Sequence, residues 1–95
     1  MRITVEELKK LKEGEYVLLD MREEYERESG SIPGSIPVVA EELIENPPSD
    51  KSKKYIIYCH SGIKSVEVAL NLRAKGYEAY SLEWGFVAWA FDKTQ

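Results

Sequence analysis

The chain has 95 residues, 43% of them hydrophobic and 32% charged, with a formal net charge of −4 and a pI near 5.0. That size and balance describe one globular domain spanning residues 1–95 with a core of its own, and exclude a disordered chain. The negative charge excludes a general pull toward nucleic acid or an anionic lipid surface, so any anion site must be local.

The single cysteine, Cys59, excludes an internal disulfide and fits a reducing compartment, so the expected location is the cytoplasm. The N-terminal stretch "MRITVEELKKLKEGE" lacks the apolar centre of a signal peptide. No run approaches the roughly 18 apolar residues of a membrane span, so no membrane partner is expected.

In chain order, a short strand at Ile3 leads to Thr4 and Glu7, spaced as a capping box. Val5, Leu8 and Leu11 then supply an apolar helical stripe that Gly14 can stop. "YVLLD" (16–20) is a nearly continuous apolar run, as in a strand buried on both faces. "REEYERES" predicts a short surface helix, and "GSIPGSIPV" has Gly and Pro at turn spacing before a brief strand near Ile36–Val38. "AEELIEN" predicts a helix ended by Pro47 and Pro48, followed by an exposed connection.

"YIIYC" is the second buried strand. From Ser65 on, Val66, Ala69 and Leu70 with Val68 and Leu72 predict a wide apolar helical face closed by Gly76. "EAYSL" is a further strand and "GFVAWAF" a last apolar helix. Strands alternating with helices predict an α/β domain whose parallel sheet is covered on both faces.

In such sheets ligands bind beyond the carboxyl ends of the strands. Asp20, with Arg22 shortly after it, ends one strand, and Cys59 ends another, so these residues are expected on one rim. A thiol between a strand and a helix lies at the helix N-terminus, where unpaired amides favour the thiolate. Lys64 stands close enough in sequence to add its charge. Gly62 allows a tight loop of inward-facing amides, and Ser61 and Ser65 add hydroxyl donors. The competing assignment is an inert buried thiol, because free cysteine is among the most buried residue types. His60 is the only histidine, so no tetrahedral metal set can form around Cys59 and no metal or other cofactor is expected. Adjacent side chains on an extended segment point apart, which leaves His60 as an exposed loop residue rather than a base for Cys59.

Three segments together, "VLLDMREEYERESGSIPGSIPV", "YIIYCHSGIKS" and "GYEAYSLEWGFVAWA", resemble in order and spacing the single-domain rhodanese (sulfurtransferase) family. The likeness covers nearly the whole chain. It implies a three-layer α/β fold with a central, mostly parallel five-stranded sheet flanked by helices on both faces. It also implies that Cys59 is a nucleophile that becomes a persulfide, surrounded by His60, Ser61, Gly62, Ile63, Lys64 and Ser65. Asp20 and Arg22 match the family's Asp-x-Arg positions, which implies an ion pair that holds the rim, with Arg22 a further substrate contact. Two positions depart from the pattern. Ser31 stands where a His often precedes the Ile-Pro-Gly turn, and Trp84 where a second Gly is common. Trp84 is expected to pack in the core or at the rim, the alternative being that it narrows the pocket or exposes an aromatic surface.

The implied activity moves sulfane sulfur from a small anion such as thiosulfate, or from a persulfide, to cyanide, a thiol or a protein. Neither leaving group needs a strong acid, which fits the lack of an evident triad. Phosphatase or arsenate-reductase chemistry is a weaker alternative. Only four residues separate Cys59 from Lys64, a short ring for a tetrahedral oxyanion, and Lys lacks the fork of Arg. A non-catalytic or carrier module of the same fold is the remaining alternative.

Overall fold

The computed structural model describes residues 1–93. Strand β1 is Arg2–Ile3, and Thr4 then starts helix α1, Val5–Lys9. The Thr4 hydroxyl accepts from the Glu7 amide at 3.1 Å, while the Thr4 amide donates to the Glu7 carboxylate at 3.0 Å. The capping box therefore forms as its spacing predicts. α1 ends before Leu11, which stays half-buried against the core from the following turn.

Strand β2 is Tyr16–Asp20, helix α2 Glu24–Arg27, strand β3 Ile36–Pro37 and helix α3 Ala40–Glu45. Strand β4 is Lys54–Tyr58, helix α4 Lys64–Ala74, strand β5 Glu78–Leu82 and helix α5 Gly85–Lys93. The strands pair in the order β1-β5-β4-β2-β3, all parallel. Two-residue strands at both edges leave little unpaired backbone, and Pro37 on β3 removes a donor from that edge.

Alternate residues of the central strands face opposite layers. Leu19, Tyr55, Ile57 and Ala79 pack with Leu43 of α3 and with Val68, Ala69 and Leu72 of α4. Leu18, Ile56, Tyr58 and Leu82 pack on the other side with Val5 and Leu8 of α1 and Phe86 of α5. The result is a three-layer α/β fold. Helix α4 buries Ser65, Val68, Ala69 and Leu72, the i, i+3, i+4, i+7 stripe. Leu70 falls outside that stripe and is exposed, so the apolar face is narrower than its composition suggests. β2 is likewise fully buried only from Leu18 to Asp20, with Tyr16 and Val17 half-buried at its amino end. Among the described residues, no helix is long and apolar enough to cross a membrane.

Candidate active site

β2 and β4 pair in register from Tyr16 with Lys54 to Asp20 with Tyr58. Their carboxyl ends therefore finish side by side. The Met21 amide continues the ladder by donating to the Tyr58 carbonyl at 2.9 Å. Asp20 and Cys59 lie on one rim because the sheet is parallel and this register is unshifted.

Cys59 is buried, and a cleft of about 370 Å³ opens over it. Tyr25 and Glu26 of α2 line one wall of that cleft, and His60, Ser61, Ile63 and Lys64 line the other. The Gly62 amide donates to the Cys59 sulfur at 3.2 Å, and the sulfur lies 3.5 Å from the Ser65 hydroxyl. Burial pushes the thiol up. Hydrogen bonds from the Ser65 hydroxyl and from the amides of Ser65, Gly62 and Lys64 outweigh it, and hold the group below the ordinary cysteine range.

Helix α5 seats this loop. The amides of Phe86 and Val87 donate to the carbonyls of Cys59 and His60 at 2.9 and 3.1 Å. Two glycines let the backbones meet. A Cβ at Gly85 would lie 2.3 Å from the Cys59 carbonyl oxygen, and one at Gly62 would lie 2.8 Å from the Trp84 amide nitrogen. Trp84 itself holds φ at +62° with its side chain in solvent, 67% exposed. The expected packing role is corrected here in favour of its alternative, an exposed aromatic surface: position 84 adopts the left-handed backbone that glycine favours, and that geometry directs the indole away from the core.

The Lys64 side chain lines the cleft but has no hydrogen-bond or ion-pair partner among the described residues. What α4 brings to the sulfur from position 64 is a backbone amide. His60 is exposed, with its Nδ1 3.8 Å from the Glu26 carboxylate across the mouth of the cleft. Among the described residues no cluster could hold a metal ion.

Asp20 and Arg22 form a buried ion pair at 3.0 Å. Both Nε and Nη2 of Arg22 reach the carboxylate, and the guanidinium also donates to the carbonyls of Glu26 and Gly30, at 3.3 and 2.7 Å. It accordingly pins the segment that carries α2, and Ser31 accepts a long bond from it at 3.4 Å. Arg22 also lies over the Phe86 ring at 3.9 Å. Most of its donors are occupied, yet it still borders the cleft.

Two partners had no signal in spacing or motif. Tyr58 donates to Asp20 at 2.7 Å and accepts from the Ile32 amide at 3.2 Å, joining the β4 end to the Ile-Pro-Gly turn. Ser81 of β5 contacts the Ser65 hydroxyl at 2.7 Å. Each reads in the sequence as one more residue of a buried strand, and only the pairing of strands reveals what its oxygen meets. A larger groove of about 990 Å³ runs between α2 and α3 and shares Arg22 and Lys64 with the cleft, but Cys59 does not line it.

The Rhodanese-like domain family model matches residues 4–92. The candidate sulfurtransferase YtwF of Bacillus subtilis is 33% identical over 76 residues, covering 79% of this chain and 74% of that protein. The thiosulfate sulfurtransferase GlpE of Coxiella burnetii is 33% identical over 81 residues, covering 83% and 76%. A crystal structure of a rhodanese-related protein from Thermoplasma volcanium superposes with a TM-score of 0.84 at 29% identity, covering 96% of this chain and 91% of that one. By sequence and by fold, the chain belongs to the rhodanese-like domain family, among relatives named as sulfurtransferases.

Proposed function

We propose that this protein transfers sulfane sulfur through a persulfide on Cys59, with thiosulfate or a persulfide as donor. The Cys59 thiolate attacks the outer sulfur of the donor, an S–S bond forms to Cys59, and the donor S–S bond breaks with its electron pair leaving on sulfite or a thiolate. A thiophilic acceptor (cyanide, a thiol or a protein cysteine) then attacks the terminal sulfur, and the Cys59 thiolate is regenerated. Gly62 and Ser65, with the loop amides, supply donors aimed at anionic sulfur. Neither step requires a strong acid, because each leaving group is a stable anion.

The observation that carries this reading is the sulfur itself: a buried Cys59 with the Gly62 amide 3.2 Å away, at the floor of an open cleft. The thiosulfate sulfurtransferase named above lends support to that anion as donor. Asp20 serves the rim, and Arg22, His60, Ser61, Ile63 and Lys64 line the donor's path.

Incubation with thiosulfate followed by intact-mass measurement is the test. Wild type should gain one sulfur atom that cyanide removes, and Cys59→Ser should gain none. A wild type that stays unmodified with thiosulfate and with a persulfide donor defeats the proposal. Persulfide that forms but passes to no small acceptor would instead favour a carrier serving a protein.

A further inference from the structure

Behind the reactive sulfur lie two hydroxyls with no exposure to solvent, Ser65 on α4 and Ser81 on β5. They form a row. The Cys59 sulfur is 3.5 Å from Ser65 Oγ, Ser65 Oγ is 2.7 Å from Ser81 Oγ, and Ser81 Oγ is 3.5 Å from the Gly62 carbonyl oxygen. Gly62 thus touches both ends, since its amide donates to the sulfur at 3.2 Å.

Each hydroxyl has one hydrogen to give, a carbonyl can only accept, and a thiol has a hydrogen that a thiolate lacks. With the thiol protonated, there is one hydrogen for each of the three links. Sulfur donates to Ser65, Ser65 to Ser81, and Ser81 to the Gly62 carbonyl. With the thiolate, only two hydrogens remain and both ends of the row are acceptors. Ser65 turns toward the sulfur. The 2.7 Å contact between two buried oxygens then needs the hydrogen of Ser81, because two bare oxygens at that distance repel. The link given up is the long one to the carbonyl, and the link gained is charge-assisted.

We infer that Ser81 is a positioning residue for Cys59: its hydroxyl and that of Ser65 form a reversible chain, donated toward the Gly62 carbonyl while the thiol holds its proton and toward the sulfur once it does not. The thiol proton leaves to solvent through the cleft, and no other bond is made or broken. The inference rests on Cys59 being the reactive thiol of the proposed transfer, but on no particular sulfur donor. A donor to Ser65 polarises its hydroxyl, and that polarisation is worth more opposite an anion than opposite a neutral thiol.

The test is the pH dependence of Cys59 alkylation by neutral iodoacetamide in the folded full chain. Arg22, Glu23, Tyr25, Glu26, His60 and Lys64, which share the cleft, are the same in every variant compared. Ser81→Ala should move the midpoint upward by about half a pH unit, slowing alkylation about threefold at any pH well below the midpoint, with the high-pH plateau unchanged. In a Ser65→Ala background the same substitution should shift nothing further, because Ser81 acts through Ser65. Ser81→Thr, which keeps the hydroxyl and adds a methyl group, should retain the wild-type profile, and it carries the test if the alanine variant does not fold. A Ser81→Ala midpoint equal to wild type, an equal shift in the Ser65→Ala background, or a displaced midpoint in the threonine variant would each overturn the inference. Alkylation consumes no sulfur donor. Failed sulfur loading with the Ser81 effect intact would defeat the transfer proposal alone, and the converse would defeat only this inference.

Discussion

A thiol can be ionised by a neighbouring cation or by oriented dipoles, and at Cys59 the dipoles dominate. Its hydrogen-bond donors are the Ser65 hydroxyl and the amides of Ser65, Gly62 and Lys64, whereas Lys64 is exposed and its ammonium has no hydrogen-bond or ion-pair partner among the described residues. A screened surface charge contributes little at that position. Lys64→Gln should therefore leave the alkylation midpoint of Cys59 within about 0.3 pH unit of wild type, the scale of a weak surface interaction. A return of the midpoint to the range of a free thiol would show that the ammonium holds the anion. The lowered thiol also sets a sign for stability. The unfolded chain keeps the Cys59 proton to higher pH than the folded one, so this group adds stability above the unfolded value and loses it as pH falls through the folded value.

Between elements, the decisive contact joins the loop after β4 to the turn that starts α5. The carbonyls of Cys59 and His60 accept from the first amides of α5, and Gly62 and Gly85 let the two backbones approach where no Cβ would fit. Trp84 lies inside this joint with a backbone angle that costs a residue with a Cβ roughly 1–2 kcal/mol. Its exposed indole recovers little of that cost by burial. Trp84→Gly is expected to stabilise the fold by about 1 kcal/mol, measured by chemical denaturation, once the greater freedom of glycine in the unfolded chain is offset. A loss of stability would mean that the indole contributes packing beyond its 67% exposure.

Across the whole molecule, one buried polar network ties the layers together. Asp20 ends β2, Tyr58 ends β4, Arg22 reaches the carbonyls of Glu26 and Gly30, and its guanidinium lies on Phe86 of α5. Burial pushes the Asp20 carboxyl up, but bonds from Arg22 and Tyr58 prevail and hold it below the usual carboxylate range. Its contribution is present above the unfolded value and is lost as pH falls through the folded one. Asp20→Asn should cost about 3–5 kcal/mol at neutral pH, because it strands a buried guanidinium, and should flatten the decline of stability as pH falls into and below the usual carboxylate range. Denaturation curves across that range measure both effects. A variant of wild-type stability would mean that the ion pair is incidental to the fold.

Sequence by itself determined the elements and the strand-to-helix junction that carries Cys59. The apolar runs at 16–20 and 55–58, the capping box at Thr4 and the Gly-punctuated helices are local signals, carried by side-chain period and backbone chemistry. Cys59, Gly62 and Ser65 are also close in sequence, so their juxtaposition needed only one loop and one helical turn. Tertiary structure alone decided what meets across strands: Tyr58 with Asp20, Ser81 with Ser65, and α5 amides with the Cys59 loop. These contacts depend on strand order and register, which a one-dimensional pattern does not contain. It also decided that Leu70 and Trp84 face solvent, because helix phase and a left-handed turn, rather than hydrophobicity, set the direction of those side chains.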